Sequence, residues 1–262
     1  MPSKTKIKPG KSALDLVAQQ ATVLRATLIT RSRQEAVFSL PVRSVDGHTD
    51  TYSLSVRAIG SRLKVSEQAP ALLPDCCPNR HINSDGSFCL SWSLHQPIHV
   101  TDLQAAEAWW MTVYRFLQLQ RRAAKARKWP TKDDWAHGDE AAREQMRAEN
   151  AAEILGPHFQ DRLRNRDLRV EKKGHFYRLL TSEGARIYSV WIEHKRVATL
   201  KQYCFCPSGR AKKSILRSCS NHGAAAADLV FGIVSREHEE KEFWRSLHGR
   251  ACCKTLNNCP LQ

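Results

Sequence analysis

Nine cysteines fall in two unequal groups along this chain, and that distribution constrains its organisation more than any other feature. Cys76, Cys77 and Cys89 lie together in the first half, whereas Cys204, Cys206, Cys219, Cys252, Cys253 and Cys259 crowd the last quarter. The split predicts two structural units with different cysteine chemistry. An odd number of cysteines in a chain of 262 residues does not read as a disulfide framework. It reads as thiols, metal ligands or a nucleophile in a reducing compartment. No stretch approaches the roughly 20 consecutive apolar residues of a membrane span. Met1 to Gly10 is basic but leads into Lys11 and Asp15 instead of an apolar signal core, so the expected location is the cytoplasm.

The hydrophobic share of 42% and charged share of 26% are those of a globular chain, which excludes collagen, low-complexity disorder and a disulfide miniprotein. Lys and Arg number 41 against 26 Asp and Glu, a formal net charge of +15. Such a surface attracts polyanions or an acidic protein partner. There is no internal repeat of useful length and no Gly-rich phosphate loop.

Ser12 and Asp15 have the form of a capping box, and Leu14, Val17, Ala21, Leu24 and Leu28 recur at helical spacing behind it. Phe38, Leu40 and Val42 alternate with polar neighbours, Asp46-Gly47 supplies a turn, and Tyr52, Leu54 and Val56 alternate again. The pattern predicts an antiparallel hairpin, to which Leu63 and Val65 add a third strand. From Pro70 to Pro97 the periodicity stops, and Pro74, Pro78 and Gly86 punctuate a loop holding three cysteines and two histidines. A segment that long without regular structure is more often functional than idle. Thr101 and Gln104 open a second helix with Leu103, Ala106, Trp110, Val113 and Leu117 on one face, where Trp109 and Trp110 serve packing. The basic run Arg121 to Lys132 marks a boundary. Beyond it Glu140 to Leu155 is helical and closed by Gly156-Pro157, strands are expected within Arg186 to Leu200, and a cysteine-rich tail follows.

Within the loop, a cysteine between Phe88 and Leu90 could be simple core filling. The order of features says more: a helix, antiparallel strands, a Pro-rich loop, a cysteine, a Trp-containing segment and a helix. Ile82-Asn83-Ser84-Asp85-Gly86-Ser87-Phe88-Cys89-Leu90, with Trp92 and Pro97 behind it, resembles the ubiquitin-conjugating enzymes. That family carries a His-Pro-Asn tripeptide and then Gly-x-x-Cys-Leu, whose cysteine forms a thioester. Here Asn79, Arg80 and His81 occupy the tripeptide, so His81 stands where the family has its asparagine. The resemblance spans roughly residues 10 to 120 and is motif-grade between Leu73 and Trp92. It implies that Cys89 takes the C terminus of a ubiquitin-like modifier from an activating enzyme and passes it to an acceptor. A thiolate suits this exchange, being both a good nucleophile and a good leaving group. In the family the asparagine steadies the loop and the oxyanion. His81 could donate the equivalent hydrogen bond, act as a base toward the acceptor, or be a loop histidine with no catalytic part. Cys76 and Cys77 read as metal ligands, a resolving thiol or buried structural cysteines.

In the tail, Cys204-Phe205-Cys206 is followed by a Gly209-containing turn, then Cys219 and His222. Two thiolates one residue apart and a later Cys/His pair can close a tetrahedral zinc site. The run resembles the SEC-C zinc motif, although Pro207 replaces its first glycine, the spacer before Cys219 is longer, and two residues separate Cys219 from His222. Cys252, Cys253 and Cys259 could replace or add ligands. No acidic residue occurs between His194 and Ala227, so a basic nucleic-acid-binding module is an alternative, but no finger repeat or aromatic nucleic-acid motif supports it.

The expected architecture is α+β. Residues 1–125 are expected to form a domain of the ubiquitin-conjugating type, with an N-terminal helix, an antiparallel β-meander, an active-site loop and a following helix. Residues 126–262 are expected to form a smaller α/β, cysteine-rich, zinc-binding domain. The resemblance implies a thioester transferase in a bacterial ubiquitination-like pathway, similar to conjugating-enzyme-like proteins of operons that are in some cases associated with antiviral defence. Its partners would be an activating enzyme, a modifier and an acceptor. The alternative is a catalytically silent protein that docks the modifier.

Overall fold

The computed structural model describes residues 11–69, 71–92, 96–131, 136–206, 214–257 and 259–261. They form two compact units. One comprises Met1–Asp134 together with Leu247–Gln262, and the other comprises Trp135–Ser246. The chain thus returns to its first unit at the end. No single cut near residue 125 separates the units, because the last residues find their packing partners among the first 134.

In the first unit, helix α1 (Ala13–Gln20) begins at the expected capping box: Ser12 Oγ accepts from the Asp15 amide at 3.2 Å, and the Asp15 carboxylate accepts from the Ser12 amide at 2.7 Å. The helix is shorter than its apolar spacing predicts. Ala21–Leu24 tightens into a 3-10 turn, Arg25 turns left-handed at φ 59°, and Leu28 belongs to a strand. Thr27, Ile29 and Thr30 are β-branched, and that preference overrides the helical period.

Strands β1 (Thr27–Arg31), β2 (Glu35–Arg43), β3 (Thr49–Ile59) and β4 (Arg62–Glu67) form an antiparallel meander in sequence order. Ala36, Phe38 and Leu40 face Val56, Leu54 and Tyr52 across β2 and β3, and all six are buried. The alternation seen in the sequence therefore identifies the covered face. Helix α2 (Leu103–Ala126) starts at Asp102, whose side chain accepts from the Ala105 amide at 2.8 Å. Its stripe of Ala106, Trp109, Trp110, Val113, Phe116 and Leu117 shares one core with α1 and the sheet. Trp110 stands edge-on to Phe38 at 5.1 Å and donates its indole N–H to Val17 O at 2.8 Å, so its one polar atom is satisfied in the interior. The tryptophans are core, as their spacing predicts.

In the second unit, helices α3 (Asp139–Leu155) and α4 (Pro157–Arg164) meet at Gly156, where Pro157 starts the new helix. A second antiparallel sheet follows, with β5 (Leu168–Lys173), β6 (Phe176–Thr181), β7 (Arg186–Trp191) and β8 (Arg196–Val197) in order. The strands expected after Arg186 are present, but β5 and β6 precede them. The region behind Cys219 is not a continuous cysteine-rich tail, because it contains helix α5 (Gly223–Ser246), 24 residues long. Helices α3 and α5 pack through small side chains. Gly232 approaches Ala148 so closely that a Cβ there would lie 2.9 Å from the Ala148 backbone nitrogen. Tyr188, fully buried, donates its hydroxyl to Ala226 O at 2.9 Å and ties the sheet to α5. Among the described residues no helix is long and apolar enough to cross a membrane.

Candidate active-site loop and metal centre

The segment behind β4 is irregular but built. Glu67 at the end of the strand accepts from the amides of Leu72 and Leu73 at 3.0 and 2.8 Å. The chain then pairs with itself: the Cys77 amide donates to Ile82 O, and the Ile82 amide returns to Cys77 O. Between them Pro78–Arg80 forms a 3-10 turn that ends at His81, in the left-handed region at φ 55°. Asn83 to Ser87 makes a second turn with Gly86 at φ 76°, a conformation that glycine adopts without strain. Asp85 braces this turn, accepting from the Ser87 amide at 3.1 Å, from its hydroxyl at 2.6 Å and from Lys64. Burial opposes its charge, but these hydrogen bonds prevail and hold the carboxyl down at about 2.

Both turns converge on Cys89. Its amide donates to His81 O at 2.8 Å, and the preceding Phe88 amide donates to Val65 O at the same distance. Phe88 is buried and stacks on Phe116 at 4.7 Å, which anchors the backbone immediately before the thiol. Cys89 itself is half-buried, with Sγ 3.9 Å from Ser91 O. The His81 ring lies 4.7 Å from that of Trp129. The structure therefore brings the two residues singled out in this loop onto one hydrogen-bonded scaffold. Ser93 to His95 lie outside the described residues.

Three residues support the loop in ways the sequence did not indicate. Arg80 is buried; its Nε donates to Gln120 Oε1 at 2.8 Å and its Nη2 to Gln120 O at 3.0 Å, while Gln120 Nε2 donates to Arg80 O at 2.5 Å. This reciprocal set locks the turn bearing His81 to α2. Trp129, read as part of a basic boundary, is the ring against which His81 rests. A glutamine inside a helical stripe and a tryptophan beyond its end show their partners only once α2 is laid beside the loop.

In the second unit, Cys204, Cys206, Cys219 and His222 offer donor atoms that all lie within 4.8 Å of one another. Cys204 is held by its amide to Ser214 O at 2.8 Å and by the bridge between Tyr203 and Ile215. Cys219 and His222 precede α5, with Cys219 Sγ 3.3 Å from His222 Nδ1. In a tetrahedral zinc site with bonds of about 2.0 and 2.3 Å, a sulfur and a nitrogen are about 3.5 Å apart and two sulfurs about 3.8 Å. The donor set therefore fits a metal ion of that size. Burial pushes the Cys204 thiol up to about 12, against a hydrogen bond from the Cys206 amide, so a thiolate there would need a cation beside it. The Gly209 turn and the lysines of Pro207 to Lys213 lie outside the described residues. Cys252, Cys253 and Cys259 do not join this group; they lie in the first unit.

Comparison with known families finds two matching models, the second of which runs past Ser246 and takes in Cys252, Cys253 and Cys259 as well. The prokaryotic E2 domain matches residues 24–131, which include His81 and Cys89. A cysteine-rich domain, C-terminal to the E2 domain, matches residues 136–261. No curated protein and no solved structure matches the chain.

Proposed function

Since the chain belongs to the prokaryotic E2 domain proteins with a C-terminal cysteine-rich domain, we propose that Cys89 carries a ubiquitin-like modifier as a thioester. The observation that carries this reading is the placement of Cys89: half-buried, directly behind a Phe88 anchored in the core, with its amide held by His81 O. Loading is thiol exchange. The Cys89 thiolate attacks the carbonyl carbon of the modifier's thioester on an activating enzyme, a new C–S bond forms, and the activating enzyme's thiolate leaves. The reaction is nearly balanced and needs no nucleotide on this chain. In discharge an acceptor amine attacks the same carbon, the C–S bond breaks, the amine proton passes to a base, and the Cys89 thiolate departs. His81 is assigned to this second step as a hydrogen-bond donor to the oxyanion, in the position the asparagine has in the ubiquitin-conjugating enzymes.

Zinc is the metal proposed for Cys204, Cys206, Cys219 and His222, because three thiolates and an imidazole suit its tetrahedral preference and softness. With all four positions filled by protein, the ion would be structural. The nine cysteines form no disulfide, which suits a reducing cytoplasm.

The test combines the chain with its activating enzyme, modifier and ATP. Wild type is expected to give an adduct that thiol reductants release, and Cys89→Ser an adduct that survives reductant but not alkali. Absence of both in a folded protein would leave a docking protein instead. So would an adduct unchanged by Cys89→Ala.

A further inference from the structure

The last residues of the chain do not belong to the metal centre just described. Leu247–Gln262 packs within the first unit. Arg250 donates to Ser84 O at 2.9 Å, the Asn257 amide donates to Arg127 O at 2.9 Å, and Leu256 is buried with Cys77 and Ala123. This brings a second set of thiols together. Cys77 Sγ and Cys253 Sγ are 3.2 Å apart although 176 residues separate them in sequence. The Cys252 and Cys259 thiols share a hydrogen bond, and Cys259 is close enough to Cys253 and Cys77 to interact electrostatically with both.

We propose that Cys77, Cys252, Cys253 and Cys259 form a second, all-thiolate zinc site that fastens the end of the chain to the loop bearing His81 and Cys89.

Three independent features support it. The first is the sulfur spacing: 3.2 Å is far beyond the roughly 2.05 Å of a disulfide and inside the roughly 3.8 Å that two sulfurs take around a tetrahedral zinc. A shared ion would need the Cys77–Cys253 pair to open slightly and the Cys252–Cys259 pair to close on it, since these four sulfurs are less tightly gathered than the donors of the second unit.

The second is the backbone around the sulfurs. The Lys254 amide donates to Cys252 Sγ at 3.3 Å, with Lys254 in the left-handed region at φ 56°. The Thr255 amide donates in the same way to Cys253, and the Leu261 amide to Cys259. Each bond runs from residue i+2 to the sulfur of residue i. The same bond reaches Cys204 from the Cys206 amide in the metal centre of the second unit. Amide donors to sulfur stabilise thiolate and orient it for a metal.

The third is charge. Four thiolates on Zn²⁺ carry a net charge of −2. The buried Arg80 guanidinium faces Cys77 and Cys253 electrostatically, whereas its Nε and Nη2 donate to neutral oxygens of Gln120. Arg250, bonded to Cys76, adds a second cation nearby. Two cations thus lie beside the place where an anionic centre would form. On binding, each thiol releases its proton to solvent as its Zn–S bond forms. Because the turn Pro78–Arg80 starts at Cys77, an ion bound there would hold that turn, and through it His81.

Metal analysis of the full chain, purified without chelator under reducing conditions, tests this. Wild type is expected to hold two zinc ions per chain, Cys253→Ser/Cys259→Ser one, Cys204→Ser/Cys206→Ser one, and the combined variant none. Cobalt titration of the wild type guards against variants that misfold: two equivalents should bind, with more sulfur-to-cobalt absorption than one site of three thiolates produces. A single equivalent of metal in the wild type that Cys253→Ser/Cys259→Ser leaves in place would overturn the proposal. A metal content unchanged by Cys253→Ser/Cys259→Ser, or a Cys77–Cys253 disulfide found in the reduced protein's peptide map, would do the same. The metal count does not depend on whether Cys89 accepts a modifier, so the two readings fail separately.

Discussion

At the scale of single residues, the loop depends on a few side chains whose partners are backbone atoms. His81 accepts the Cys89 amide through its carbonyl and keeps its ring against Trp129, so the imidazole can be altered while the main chain stays in place. We expect His81→Ala to load normally but discharge to an amine about 100-fold more slowly, the order of loss for one oxyanion donor, with His81→Asn restoring most of the rate. Single-turnover discharge separates the two steps. Asp85 offers a pH test. Its folded pKa of about 2 lies below the roughly 3.9 of an unfolded aspartate, so its contribution to stability is complete above about 4 and is lost as pH falls toward 2. The thermal midpoint of Asp85→Asn should lie below that of wild type at neutral pH, and the gap should close across that acidic window.

At the scale of elements, each unit is a sheet with helices closed over it, and the tightest helix contact is between α3 and α5. Replacing Gly232 by Ala improves intrinsic helix propensity by about 1 kcal/mol, yet the new Cβ would stand 2.9 Å from a backbone nitrogen of α3 that cannot swing aside. Overpacking of this kind costs about 1–3 kcal/mol, so Gly232→Ala should lower the thermal midpoint of the second unit despite its better helix former. Elements with a one-sided apolar period were readable from the chain: the capping box of α1, the alternation of β2 and β3 and the stripe of α2 all appear where the pattern places them. Those without it were not. The first half of α5 is apolar on nearly every side, and β5 carries only Leu168 and Val170 among charged residues.

At the scale of the whole molecule, the proposed metal and the net charge make separate predictions. The described residues between β8 and α5 hold one 3-10 turn, Leu216–Ser218, and are anchored by Cys204 and Leu216 in the core and by the proposed ion. Structural zinc contributes about 10–16 kcal/mol of apparent binding energy in small domains, so removing it should release this segment first. Trypsin is expected to cut after Lys201 and Arg217 in chelator-treated protein and to spare both bonds in the metal-loaded form, as peptide mapping would show. The net charge of +15 adds a general attraction for acidic partners, which salt weakens.

What could be read from the chain was local. The order of helix, strands, loop and cysteine around Ile82–Leu90, and the Cys204, Cys206, Cys219 and His222 cluster, are patterns of near neighbours, and backbone geometry turns such patterns directly into proximity. The packing of α2 against the Arg80 turn, the resting place of His81 on Trp129 and the meeting of Cys77 with Cys253 depend on which distant surfaces bury each other. Cys252, Cys253 and Cys259 look from their spacing like part of the nearer metal motif. They belong elsewhere because Leu256 and its neighbours gain more by covering Cys77 and Ala123 in the first unit, a choice made by the burial of apolar surface across the chain and invisible in any short window of it.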